Sequence, residues 1–226
     1  MMAHAFTSSE DTVTAGDGHR LRCHVFDPQD RPRGTVVVLQ EIFGVNQHIL
    51  SVAAGYAAAG YRALAPSLFD RAERGITLPY TEEGIAQGLK IAQSLRWSQS
   101  VQDVAAVTAL ATGPVAAVGF CWGGTVAWVG AARAIGLRAA VAYYGGFIPR
   151  LLHERPQCPV LLHWAEHDHV VSTAQRQAVA DAFPELPQFT YDAEHGFNCS
   201  ERPAHQPAAA RLANERTLDF LARHLG

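Results

Sequence analysis

A cysteine set among glycines is the residue in this chain best placed to do chemistry. Gly119-Phe120-Cys121-Trp122-Gly123-Gly124 stands between an apolar run, VAAVGF, and a stretch that reads as a helix. This is the G-x-S-x-G nucleophile elbow with cysteine in place of serine. A sharp strand-to-helix turn strains its central residue, and side chains at the flanking positions would collide, so glycines are needed there. The turn thrusts the thiol out at a helix N-terminus, where the partial positive charge of the helix end faces the sulfur. The N–H of Trp122 can then point at an oxyanion. Two further residues suit this role. Asp168 lies in HWAEHDHVV just past an apolar run, and His195 lies in AEHGF, again just past one. An imidazole can reach a sulfur through Nε2 while a carboxylate holds its Nδ1–H. Taken singly, Asp168 is as well explained as an acid at the start of a helix, and His195 as a surface histidine. Together they follow the cysteine in the order nucleophile, acid, histidine, with room for one helix and one strand between the last two.

These residues need a scaffold that sets each at a strand end. DTVTA, GDGH and RLRCHVF read as a β-hairpin, and GTVVVLQ as a strand buried on both faces. Residues 47–59 look helical and stop at Gly60. YRALAP is a short strand, and 68–81, broken by Gly75 and Pro79, reads as a surface loop. A long helical stretch from Thr81 to Ala111 breaks near Trp97. Then come the strand VAAVGF, a helix from Gly123 to Ile135, the strands RAAVAYYGG and PVLLHWAE, a helix opening near Ser172, the strand PQFTYDAE and a helix over 207–224. Strands alternating with helices predict an α/β fold, a mostly parallel sheet with helices on both faces. Ligands bind beyond the carboxyl ends of such strands.

Composition narrows the function. The 226 residues fit one domain spanning 1–226, with 48% hydrophobic and 17% charged residues and no disorder signature. A net charge of −3 without a basic stripe excludes nucleic acid and anionic membranes as partners. The opening MMAHAFTSSEDTV has neither a basic start nor a long apolar run, so a cytoplasmic protein without a membrane span is expected. Cys23, Cys121, Cys158 and Cys199 form no CxxC pair, and thiols are the expected state. His163, His167 and His169 would share a face of a strand. The run bends at the predicted loop, however, and offers no paired carboxylate or cysteine, so no metal and no cofactor are expected.

With elbow, acid and histidine placed, nearly the whole chain resembles the dienelactone hydrolase (carboxymethylenebutenolidase) family and its α/β-hydrolase fold. The most specific piece is LQEIFGVN, residues 39–46, followed by a helix and GYRALAPSLFDR; GFCWGG, EHDHVV and HGF match the family's elbow, acid and histidine. The resemblance implies that Glu41 accepts the thiol proton and that the backbone N–H of Ile42 is the second oxyanion donor beside that of Trp122. Independently of it, a glutamate after a buried strand is costly without a partner. Two family arginines that bind a substrate carboxylate have no match here. Residue 199 is a cysteine, and the helix from Thr81 has no arginine before Arg96. Arg71, Arg74, Lys90 and Arg202 stay open as substitutes. Phe43, Trp122 and Tyr144 are candidates for an aromatic pocket wall.

The expectation is therefore a monomeric, cofactor-free hydrolase that opens small lactones or cleaves activated esters through a thioester on Cys121. A general carboxylesterase or thioesterase would use the same machinery. A glutaminase or amidase, or a non-catalytic binding protein on this fold, are the more distant alternatives.

Overall fold

The structure, a computed structural model, describes residues 6–226. The first five residues, part of the opening read above as lacking a leader, lie outside it. β1 (Phe6–Thr14) and β2 (Arg20–Pro28) form the expected antiparallel hairpin, with Thr14 opposite Arg20. β3 (Thr35–Leu39) is wholly buried, as a run of β-branched residues flanked by strands on both sides should be. β4 (Arg62–Pro66), β5 (Val115–Phe120), β6 (Ala139–Tyr143), β7 (Val160–Ala165) and β8 (Gln188–Tyr191) complete one eight-stranded sheet. Its order is β1-β2-β4-β3-β5-β6-β7-β8. Only β2 runs antiparallel to its neighbours; every pairing from β4 to β8 is parallel. This is the α/β-hydrolase architecture. β1 is an edge strand, exposed at every position except Val13.

Side-chain alternation splits the core in two. Val37, Leu39 and Ala117 face α3 (Trp97–Val107) and α4 (Trp122–Ala132), with α2 (Glu82–Ser94) and α5 (Thr173–Ala182) on the same side. Val36, Val38 and Val118 face α1 (Gln47–Ala58) and α6 (Pro207–Leu225). Every residue of α4 is buried, which fits a helix apolar all round and seated over the middle of the sheet.

Two expectations need correction. Residues 68–81 are not simply a surface loop. Leu68–Arg71 is a 3-10 turn whose Leu68, Phe69 and Asp70 are buried. The Asp70 carboxylate accepts the N–H groups of Arg22 (3.1 Å) and Gly75 (3.0 Å), so a polar side chain organises the segment from inside. The helix after the elbow stops at Ala132 rather than Ile135, because Ala134 and Gly136 take positive φ. The break near Trp97 is present: Leu95 and Arg96 are extended between α2 and α3. Among the described residues, no helix is long and apolar enough to cross a membrane.

Candidate active site

The elbow sits where β5 enters α4. Cys121 has φ 53° and ψ −114°, a conformation that costs a non-glycine residue about 1–3 kcal/mol and persists only when its surroundings impose it. They do so here. The Cys121 N–H donates to Tyr143 O at 2.9 Å. A Cβ on Gly119 would run into the Gly123 carbonyl, and one on Gly123 into the carbonyls of Leu39 and Gln40. The glycines therefore let α4 start directly against β3 and β5. Cys121 is partly exposed, whereas Cys23 and Cys199 are buried.

His195 and Asp168 converge. Asp168 Oδ1 accepts the N–H groups of Val170 (2.7 Å) and Val171 (3.0 Å), which fixes the carboxylate. His195 Nδ1 lies 2.9 Å from Oδ2 and 3.0 Å from Oδ1. The loop is clamped by the buried Arg176 of α5, which donates to Val171 O at 3.0 Å and Glu166 O at 3.3 Å. Burial opposes the Asp168 charge, but the His195 ring and the two N–H groups outweigh it and hold the carboxyl below its usual range. Burial likewise opposes a charged His195, yet Cys121 and Asp168 beside the ring raise it to about 10. His195 Nε2 has no hydrogen-bond partner among the described residues.

Cys121 and His195 line one cavity of about 330 Å³. Its walls include Ile42, Phe43, Ile85, Leu89, Trp122 and Phe147, with Arg150 and Arg202 adding charge. The sequence gives no pattern that points to Ile85, Leu89, Phe147 or Arg150, which reach the cavity from α2 and from the loop after β6. The backbone N–H groups of Ile42 and Trp122 find no acceptor among the described residues. α2 presses on the Ile42 peptide so closely that a Cβ on Gly88 would meet the Ile42 carbonyl.

Glu41 is fully buried, but its carboxylate turns toward other partners than the sulfur. Tyr80 Oη donates to Oε2 at 3.3 Å, and Arg202 Nη1 is 3.5 Å from Oε1. No hydrogen bond joins Glu41 to Cys121 among the described residues. Burial raises the Glu41 carboxyl, with Arg202, His195 and Tyr80 opposing it. Arg202 thus places a guanidinium at the cavity, beside Glu41. Arg71 is committed to Asp17 and Asp103, Arg74 reaches Arg20 O, and Lys90 is absent from the cavity wall.

Tyr144 does not line the cavity, contrary to expectation. Its positive φ of 40° at the end of β6 turns the ring inward, where it is buried behind His195 with ring centres 4.9 Å apart. The three histidines of 163–169 are dispersed. His163 is buried between Tyr191 (2.8 Å) and Thr217 (3.0 Å), His167 pairs with Asp192 at the surface, and His169 stands beside His195 at the cavity.

The model of the dienelactone hydrolase family matches residues 21–225. A carboxymethylenebutenolidase of Pseudomonas sp. (strain P51) is 36% identical over 225 residues, covering 94% of each chain. One from Pseudomonas putida is 34% identical over 224 residues, covering 93% of this chain and 94% of its own. A solved structure of a Klebsiella pneumoniae subsp. pneumoniae protein, taken to be a dienelactone hydrolase, superposes with a TM-score of 0.84 at 28% identity, covering 97% of this chain and 99% of that one.

Proposed function

The chain belongs to the dienelactone hydrolase family, and from that premise we propose that it hydrolyses small lactones or activated esters with Cys121 as nucleophile. The observation that carries this reading is the His195–Asp168 pair, bonded at 2.9 Å, in the cavity that Cys121 lines. The thiolate of Cys121, paired with a protonated His195, attacks the carbonyl carbon. The free N–H groups of Ile42 and Trp122 hold the resulting oxyanion. Collapse expels the alkoxide, which takes the proton from His195 Nε2, and leaves a thioester on Cys121. In a lactone the alkoxide stays tethered and the ring opens. The sulfur is now uncharged, so one main support of the His195 charge is gone and burial favours the neutral ring. His195 then takes a proton from water, the hydroxide attacks the thioester, and thiolate and imidazolium are restored.

Cys121→Ala should lose at least about 10³-fold in turnover of an aryl ester, as loss of a covalent nucleophile does. Mass spectrometry of quenched wild-type reactions should find one acyl group on the Cys121 peptide. Near-normal turnover by the alanine variant would end this reading.

Arg150 favours a substrate bearing an acidic group. It lines the cavity, with its guanidinium carbon 5.7 Å from the centre of the Phe147 ring. The name carboxymethylenebutenolidase denotes such a lactone in the relatives. The ratio of kcat/KM for an acidic lactone over a neutral ester of similar size should fall about tenfold or more in Arg150→Ala. An unchanged ratio would assign selectivity elsewhere.

A further inference from the structure

Behind the Glu41 carboxylate lie His48 and Cys199, to which the hydrolysis proposed above assigns no step. We propose that Glu41, His48 and Cys199 form a buried binding site for a zinc-class divalent cation.

One ligand atom from each of the three residues lies within 4.8 Å of the others, and all three side chains are buried. They come from the loop after β3, from α1 and from the segment before α6, so no local sequence spacing announces them. In a tetrahedral zinc site, bonds of about 2.0–2.3 Å put ligand atoms roughly 3.3–3.8 Å apart. The three atoms need to close by about 1 Å, within reach of side-chain rotation. A carboxylate oxygen, an imidazole nitrogen and a sulfur suit a borderline-soft cation better than magnesium or calcium.

Cys199 Sγ donates to Tyr80 Oη at 3.2 Å and Tyr80 Oη to Glu41 Oε2 at 3.3 Å, but other polar atoms around this point are unsatisfied among the described residues. His48 is 4% exposed and its Nε2 has no hydrogen-bond partner among the described residues. Glu41 Oε1 also has none, with Arg202 at 3.5 Å as its nearest cation. Tyr144 Oη is buried without a partner as well. Such groups are rare in protein interiors and mark places where something else binds.

Charge and protons balance. Glu41 binds as the carboxylate that Arg202 and the Tyr80 hydroxyl already face, the Cys199 thiol gives its proton to the buffer as the metal–sulfur bond forms, and two negative ligands neutralise the dication. Arg202 competes for the same carboxylate and must yield. The ion would therefore hold Glu41 away from the nucleophile and link α1 to the segment before α6.

The test is a titration of the metal-free, full-length protein with Co²⁺, read by its sulfur-to-cobalt absorption band, and with Zn²⁺ by calorimetry in two buffers. We expect one ion per chain and about one proton released. Cys199→Ser should abolish the band, and His48→Gln should weaken binding at least tenfold. Cys121→Ser should leave both intact, and Arg202→Gln should tighten binding. Circular dichroism establishes folding, and His48→Gln carries the test if Cys199→Ser does not fold. A band that vanishes with Cys121 instead, or no uptake at millimolar ion, would overturn the site and leave an ordered water as the occupant.

Discussion

The charge on His195 follows the charge on its neighbours, so His195 and Asp168 should behave as one unit. Asp168 fixes the ring through Nδ1, and a ring that has lost this bond cannot present Nε2 to the sulfur. Asp168→Ala and His195→Ala should each cost about 10²–10⁴ in kcat, and the double variant little more than the worse single one. Multiplicative losses would show that they act independently. Cys121, Asp168 and His195 are legible in the sequence because each is placed by a few adjacent residues: an elbow, or the end of an apolar run. Tyr80, His48 and Arg202 are not, since they meet Glu41 only after separate elements pack around it. Arg202 could be named as one of four candidate bases, but only the folded chain shows Arg71 engaged with Asp17 and Asp103. Tyr144 is not legible as an inward-facing ring, because at a strand end one residue decides the face, and its φ of 40° breaks the alternation.

Elements hold this site by backbone contact. Gly123 lets α4 abut the carbonyls of Leu39 and Gln40, and neither carbonyl can retreat without moving β3. Gly123→Ala should therefore destabilise by about 1–3 kcal/mol in urea unfolding. It should also depress turnover further than the unfolded fraction explains, because the Trp122 N–H moves with the first turn of α4. Loss of stability with kcat retained would show that the helix start has slack. The strands and most helices were legible because their periodicities are long and their neighbours alike: GTVVVLQ can only be a strand buried on both faces. The stretch 68–81 was not. Its turn is built around the carboxylate of Asp70, and a charged residue in a polar, glycine-broken run reads as solvent-facing until its two N–H partners are seen.

At the scale of the whole molecule, stability should peak near about pH 6.5 and decline on either side. Burial holds His163 down at about 3 and His48 at about 4. Below pH about 6.5 the unfolded chain protonates both rings while the folded chain resists, so stability falls as the pH falls. On the alkaline side, burial pushes the thiols of Cys23 up to about 12 and Cys199 to about 11. Above about pH 9 the unfolded chain ionises them first, and stability falls more steeply. His195, raised to about 10, adds stability that is complete below about 6.5 and lost toward 10. Melting temperature against pH measures this, and a profile flat from pH 4.5 to 7 would contradict the acid side. The outer strand carries a separate consequence. Among the described residues no strand pairs with the outer edge of β1, and Glu10 and Asp11 stand near its middle with both side chains exposed. Two adjacent carboxylates make a second such edge electrostatically unwelcome, so the charges act as a guard against fibril growth. Glu10→Val with Asp11→Thr removes that guard from a strand already rich in threonine. The double variant should scatter light increasingly with time at concentrations where the parent stays clear.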